Sequence, residues 1–291
     1  MANVFSRSWD ISKLCWNVIT KDKELLLFPM LAGVFSIAFI LAMLFPSVIA
    51  ALVAGLRPEF TALTYVLVFL TYLGLAIIAT FFNVCVVFTA KVRFSGGNAT
   101  FGQSIKFAFS KFHLIFYWGL VSATVGLILH ILDQMAERAG GIGRLILGIT
   151  RWILGAAWGM VTIFVVPGMV YNNLTPFAAI KKSVGVLKKT WGESLVRAIG
   201  LGITQFIFIL IGIALSIALF FVLFPLGIAG IIVALLVAGL YFLAVFILFG
   251  VMNNVFNAAL YEYADTGRIP QGFTEESVKG AFVSRKPAGN I

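Results

Sequence analysis

The amino-acid sequence predicts an all-α, polytopic membrane helical bundle with six transmembrane helices. Only 11% of the 291 residues are charged, whereas soluble domains carry about 25%, and 61% are hydrophobic. No Asp, Glu, Lys or Arg occurs from Ala198 to Tyr261, a stretch long enough for two crossings at roughly 20 apolar residues each. Most of the basic residues between the apolar stretches also fall on one side of the predicted spans. This composition excludes a soluble domain and a disordered chain.

Each predicted span is an apolar stretch of membrane length with almost no charge. The last two spans are separated by the turn residues Pro225-Leu226-Gly227. In the fourth span, Pro167-Gly168 is expected to open the helical hydrogen-bond ladder. The six predicted spans are Leu25–Leu52, Thr61–Ala90, Leu114–Leu132, Leu145–Tyr171, Ala198–Phe224 and Gly227–Leu260.

The distribution of basic residues predicts the orientation. Only four of the 21 basic residues, Arg57, Arg138, Arg144 and Arg151, fall on one side of the predicted spans. The others fall on the side that carries both termini and the two longer loops. Because cytoplasmic loops carry an excess of Lys and Arg, we expect both termini in the cytosol.

Weak internal similarity predicts a repeated unit. The sequence that starts at Asn83 resembles the one that starts at Asn253, and Gly97 then corresponds to Gly267. We therefore expect a single membrane domain, 1–291, with repeats at about 1–90, 98–172 and 175–260. The arrangement would be a pseudo-threefold, parallel repeat of an interfacial helix plus a transmembrane hairpin. Residues 261–291 would form a cytosolic C-terminal segment with a short amphipathic helix.

A basic amphipathic segment precedes each predicted pair of spans. At helical spacing, Ile180, Val184, Leu187 and Trp191 share one face, and neighbouring lysines lie away from it. Phe101, Ile105, Ala108 and Phe112 form a similar stripe. Such helices lie in a membrane interface, although they could equally cap the bundle. The residues predicted to contact anionic lipid headgroups are Lys106, Lys111, Lys181, Lys182, Lys188 and Lys189.

Asparagines recur near the cytosolic ends of the even-numbered spans. Their amides could line a polar vestibule, or they could join helices by hydrogen bonds worth about 0.6 kcal/mol each. The residues concerned are Asn83, Asn172, Asn173, Asn253, Asn254 and Asn257.

One group of ionisable side chains could carry chemistry. His130, Asp133 and Glu137 share a helix face at the end of the third span. Imidazole and carboxylates could bind a metal or relay a proton, but three ligands without a fourth do not make a complete metal site. A solvated helix end is the alternative interpretation. No nucleotide-binding, zinc-protease or nucleophile-elbow motif occurs, so the sequence predicts no cofactor and a protein that is not an enzyme.

Several short motifs carry a resemblance to a known family. They are Ser8-Trp9 with Asp22-Lys23-Glu24-Leu25 and Phe28-Pro29, Ala179–Ser183 with Lys189–Glu193, and Ala259–Ala264 with Gly272-Phe273. In these the chain resembles an uncharacterised prokaryotic membrane family, a domain of unknown function. The resemblance implies a multi-pass protein of the prokaryotic plasma membrane and brings no known activity. More loosely, the layout looks like the membrane domains attached to glycerophosphodiester phosphodiesterases, whose catalytic domain this chain lacks.

These features lead to one function hypothesis and two alternatives. We expect a non-enzymatic protein that organises or moves lipidic or amphipathic molecules at the cytosolic leaflet, with anionic lipids as partners. The net charge of +10 does not predict nucleic-acid binding, because membrane-length apolar stretches interrupt it. The alternatives are a pore or facilitator for small solutes, as an oligomer or a single chain, and a structural subunit of a membrane complex.

Overall fold

A computed structural model describes residues 4–54, 62–191, 201–275 and 277–278. Within this part of the chain the fold is all-helical, with 90% helix and no strand. The predicted all-α class is therefore confirmed. Most of the predicted C-terminal amphipathic helix, from residue 279 onward, lies outside the described residues.

The described helices repeat the predicted order of one short helix followed by two long helices, with one extra break in the fourth predicted span. A single 3-10 turn, Phe224–Leu226, separates the last two helices. The helices are α1 (Val4–Lys21), α2 (Glu24–Ala54), α3 (Ala62–Phe94), α4 (Phe101–Ser110), α5 (Phe112–Ala139), α6 (Gly141–Thr162), α7 (Val165–Asn172), α8 (Pro176–Trp191), α9 (Gly202–Leu223) and α10 (Gly227–Thr266).

Five stretches of the described chain are helical, long and apolar enough to cross a membrane. They are Glu24–Phe45, Tyr65–Phe94, Phe112–Ala139, Gly141–Asn172 and Gly202–Thr266. Large apolar side chains on these helices, such as Val34, Ile142 and Ile228, are exposed. Exposed apolar surface on this scale is unfavourable in water and is expected for helices that face lipid. The fifth stretch contains α9, the 3-10 turn and α10, so the predicted count of six depends on how that stretch is divided.

The chain reverses direction between α9 and α10. The Tyr241 hydroxyl of α10 donates a hydrogen bond of 2.8 Å to the Phe208 carbonyl of α9. The rings of Phe208 and Phe249 lie 5.5 Å apart between the same two helices. Next to the turn, Gly230 lies against the carbonyl oxygen of Leu223, where a Cβ would not fit. The two helices therefore form an antiparallel hairpin.

The chain divides into two compact units, of which the first comprises Met1–Leu26, Ala90–Asn98 and Lys188–Ile291. In this unit α1 packs on α9 and α10. The hydroxyl oxygens of Ser8 and Thr204 lie 2.8 Å apart, and the Thr204 N–H donates to Ser8 Oγ at 3.2 Å. Cys15 is fully buried on the same face of α1, and this burial raises the pKa of its thiol. Cys15 therefore acts as an apolar filler that stays protonated.

The first unit also contains an ion pair with a buried carboxylate, which was not predicted from the sequence. The Arg93 guanidinium, near the end of α3, donates to both carboxylate oxygens of Asp22. The Asp22 side chain is 1% exposed and that of Arg93 is 21% exposed. Arg93 also donates a 3.0 Å hydrogen bond to Asn98 Oδ1. The turn between α1 and α2 is thereby fixed to the end of α3.

The second unit comprises Leu27–Thr89 and Ala99–Leu187. Its short helix α4 begins with a capping box, in which Thr100 and Gln103 bond each other's backbone N–H. The buried hydroxyls of Ser104 and Thr89 lie 2.7 Å apart and join α4 to α3. Helices α5 and α6 form a hairpin closed at Gly140, whose φ of +59° favours glycine.

The fourth predicted span is interrupted upstream of the position that the sequence indicated. Helix α6 ends at Thr162 and α7 begins at Val165, so the break lies at Ile163–Phe164 and not at Pro167-Gly168. Pro167 falls in the first turn of α7, where its missing N–H costs no helical hydrogen bond. The freed Phe164 N–H donates instead to the Oγ of Ser183 on α8, at 3.3 Å.

Each unit is built from segments of more than one predicted repeat. The first unit joins residues 1–26 to 188–291, and the second contains most of the chain between them. The boundaries 1–90, 98–172 and 175–260 therefore stay a prediction. Within each unit, however, a buried serine joins a short helix to another segment of that unit. Ser8 in α1 pairs with Thr204 of α9, Ser104 in α4 pairs with Thr89 of α3, and Ser183 in α8 accepts from the Phe164 N–H in the break between α6 and α7.

Candidate functional site

The lysines predicted to contact lipid headgroups lie mostly on exposed surface. Lys106 on α4 and Lys181, Lys182 and Lys188 on α8 are exposed, while the side chain of Lys189 lies outside the described residues. Lys111 is half-buried and differs from the rest. Its Nζ donates a 2.7 Å hydrogen bond to Asn173 Oδ1 and lies 5.5 Å from the centre of the Phe107 ring.

The buried face of α8 is rotated from the face that the sequence indicated. Ala179, Ser183 and Val186 are buried, whereas the predicted stripe of Ile180, Val184 and Leu187 is half-buried. Small side chains at Ala179 and Ser183 let the helix approach closely, so they take the innermost position. The exposed lysines remain on the opposite side, as expected. The side chain of Trp191 lies outside the described residues.

The six predicted vestibule asparagines are divided between the two units. Asn83, Asn172 and Asn173 belong to the second unit, and Asn253, Asn254 and Asn257 belong to the first.

Two of these asparagines have distinct local roles. Asn173 ends α7 in the left-handed conformation, with φ of +53°, and accepts from Lys111. Asn83 Oδ1 is buried and, within the described part of the chain, has no hydrogen-bond partner. A vestibule that uses all six residues remains a prediction.

His130, Asp133 and Glu137 line one open polar cleft of about 570 Å³ with Gln134, Ala136, Arg144 and Gly148. His130 is bonded to Gln134 through their Nε2 atoms at 3.0 Å, and Gln134 Oε1 accepts from Tyr65 at 2.9 Å. Asp133 forms a partly exposed ion pair with Arg151 at 3.1 Å. Among the described residues, no His, Cys, Asp and Glu side chains form a group arranged to hold a metal ion.

A second cavity, in the first unit, was not predicted from the sequence. It has a volume of about 350 Å³ and lies between α1 and the hairpin of α9 and α10. We call it the α1 groove, and its lining residues are Trp9, Ser12, Lys13, Trp16, Thr204, Phe208, Leu248, Phe249 and Met252. A sequence signal was present, because Trp9, Lys13 and Trp16 follow each other at i, i+4 and i+7 on one helix face.

The polar atoms in the wall of the α1 groove are already hydrogen-bonded. Ser12 Oγ donates to the Ser8 carbonyl at 2.8 Å, and Thr204 pairs with Ser8. The remaining wall residues from α9 and α10 are apolar. The groove can therefore hold an apolar ligand without leaving a buried polar group unpaired.

The rim of the α1 groove is basic and aromatic. Lys13 Nζ lies 5.7 Å from the centre of the Trp9 ring and 3.9 Å from the Asp10 carboxylate. The side chains of Lys13 and Asp10 are 61% and 60% exposed. Trp9 and Trp16 are 41% and 45% exposed, which is unusual for tryptophan in water and common at a membrane interface. The groove thus combines an apolar interior with a cation at its mouth.

Comparison with known proteins places the chain in a family. The sequence profile of a family of unknown function, DUF6159, matches residues 62–273, which extend from the start of α3 to just beyond α10. No curated protein matches the chain. The match confirms the resemblance to an uncharacterised domain, and it covers well over half of the sequence. The chain therefore belongs to the family of unknown function DUF6159.

Proposed function

We propose that this protein organises or moves amphipathic molecules at the cytosolic leaflet of a prokaryotic plasma membrane and is not an enzyme. In this proposal the chain crosses the membrane six times, with both termini in the cytosol. The three short helices α1, α4 and α8 then all lie at the cytosolic interface. The pseudo-threefold repeat of a short helix and a hairpin is part of the same proposal.

The α1 groove is the observation that carries the proposal. Its interior is apolar, its few polar wall atoms are internally bonded, and its mouth bears Lys13 and two exposed tryptophans. An amphipathic molecule has a matching distribution of polarity, with an apolar part for the interior and a polar end for the rim. On the predicted topology, this mouth opens at the height of the cytosolic headgroups.

The exposed lysines of α4 and α8 also support a role at the cytosolic leaflet. Each Lys or Arg near an anionic surface contributes about 1 kcal/mol of attraction. Lys106, Lys181, Lys182 and Lys188 present this charge away from the buried faces of their helices. The basic surface would concentrate anionic amphiphiles around the protein, and the groove would hold one of them.

The proposal predicts that the purified full chain retains anionic lipid in preference to zwitterionic lipid. After reconstitution in mixed phosphatidylglycerol and phosphatidylcholine, native mass spectrometry should show retained phosphatidylglycerol in excess. The double variant Lys181→Gln/Lys182→Gln should weaken this preference by up to about 2 kcal/mol, roughly 30-fold, because two charges are removed.

The matched control is Arg138→Gln/Arg144→Gln, which removes two exposed cations from the opposite predicted side. That variant should keep the preference of the wild-type protein. Equal retention of both lipids by wild type, or equal loss in the two double variants, would contradict the proposal.

A further inference from the structure

Resting on the proposed function, we propose that the α1 groove binds one long-chain fatty acid, with its carboxylate at Lys13 and its acyl chain between α1, α9 and α10. Four properties of the groove point to this ligand: the chemistry of its wall, its volume, the charge at its mouth and the position of its tryptophans.

The wall selects an apolar chain over a polar solute. Phe208, Leu248, Phe249 and Met252 provide carbon and sulfur atoms only, and Met is well suited to irregular apolar gaps. The hydroxyls of Ser12 and Thr204 are already bonded to Ser8. A sugar, amino acid or nucleotide placed here would bury hydrogen-bonding groups without partners, which is costly. An acyl chain has no such groups.

The volume of the groove is large enough for one acyl chain. A space of about 350 Å³ holds roughly a dozen non-hydrogen atoms if each takes ~30 Å³, which is the share of a water molecule in the liquid. That is most of one acyl chain, and the end of a longer chain would continue into the bilayer.

The mouth selects a single negative charge. Among the described lining residues, Lys13 is the one cation, and Asp10 already lies 3.9 Å from its ammonium group. Arginine holds a phosphate group through two parallel hydrogen bonds, whereas lysine holds it as a point charge. A carboxylate needs one charge-assisted hydrogen bond from a lysine. The mouth therefore offers one lysine and, among the described lining residues, no arginine fork, which fits a carboxylate.

The tryptophans place the mouth where a fatty acid enters. Trp9 and Trp16 flank Lys13 on one face of α1, and both rings are partly exposed. Indole rings prefer the level of lipid headgroups, where their N–H group finds a polar partner. A fatty acid already in the leaflet holds its carboxylate at this same level, so it can slide into the groove without leaving the interface.

The test measures equilibrium binding of radiolabelled palmitate to the purified full chain by scintillation proximity. We expect saturable binding that unlabelled palmitate displaces and that two-chain phosphatidylglycerol displaces far less. Lys13→Gln should weaken palmitate binding about 5- to 10-fold, because it removes one cation from the headgroup level. Met252→Trp should abolish binding by filling the interior. The matched control is Lys21→Gln, an exposed lysine on α1 outside the groove lining, which should bind like wild type.

The outcomes separate this inference from the proposed function. If lysophosphatidylglycerol or two-chain phosphatidylglycerol displaces palmitate as well as palmitate itself does, the fatty-acid assignment fails while the proposed function stands. Equal palmitate binding by wild type, Lys13→Gln and Met252→Trp would also overturn the assignment. Because Lys13 is exposed, its variant stays informative even if Met252→Trp does not fold. Absence of any palmitate or phosphatidylglycerol binding to wild type would overturn both proposals.

Discussion

Replacing Asp22 by alanine is expected to lower the free energy of unfolding by about 3 kcal/mol, the largest effect that we predict for one side chain. Removal of one partner from a buried ion pair leaves the other charge uncompensated, which typically costs about 3–5 kcal/mol. The lower value applies because the Arg93 side chain is 21% exposed, so water reaches part of it. Asn98 also retains one hydrogen bond to the guanidinium. The measurement is chemical unfolding of the purified protein in detergent.

The exposed ion pair of Asp133 and Arg151 provides the control for this variant. Both of its side chains are nearly half exposed, so Asp133→Ala should cost less than about 1 kcal/mol. A double variant, Asp22→Leu/Arg93→Met, should recover much of the lost stability, because no buried charge then remains. A loss for Asp22→Ala no greater than that for Asp133→Ala would show that the pair does not hold the α1–α2 turn to α3.

A cysteine placed at Leu226 is expected to react with a membrane-impermeant reagent added outside the cell. The result is all-or-none, and it distinguishes six crossings from five. The stretch Gly202–Thr266 has 65 residues, and a single helix of that length would extend about 100 Å, against a hydrocarbon core of about 30 Å. The turn at Phe224–Leu226 and the contacts between α9 and α10 divide it into a hairpin. The turn should therefore lie on the side opposite to both termini.

The labelling uses a membrane-impermeant maleimide on intact cells, with Cys15 and Cys85 replaced by alanine. A cysteine at exposed Ile142, next to the α5–α6 turn, should react in the same way as one at Leu226. A cysteine at exposed Gly185 on α8 should react only after the cells are opened. Reaction at Leu226 only in opened cells would contradict the sixth crossing, and reaction at Gly185 in intact cells would contradict the orientation.

The sequence was sufficient to predict the helices because long apolar stretches allow few alternatives. Within the described residues the six predicted apolar stretches are helical apart from the break in the fourth, and the short basic segments α1, α4 and α8 are helical as well. The number of six membrane crossings stays a prediction. The turn residues Pro225-Leu226-Gly227 mark a chain reversal at the position where the structure has it. These features depend on residues that are neighbours in the chain, so a single sequence reveals them.

Features that depend on distant residues were not predictable in the same way. Asp22 and Arg93 are 71 residues apart, and each taken alone looks like an ordinary charge in a loop. The α1 groove requires α1 to lie on α9 and α10, which begin far along the chain. Its residues Trp9 and Met252 therefore become neighbours only in the folded unit. The burial of Ser183 at the centre of the α8 face was not predicted, because hydrophobic periodicity favours large apolar residues. Close packing between helices instead favours small side chains.

The most direct test of an amphiphile-binding α1 groove is an experimental structure of the full chain in a lipid nanodisc with added palmitate. We expect elongated density between α1 and the α9–α10 hairpin, with its polar end about 3 Å from Lys13 Nζ and its tail against Phe208 and Met252. A groove that stays closed by its own side chains, or density whose polar end points away from Lys13, would contradict it.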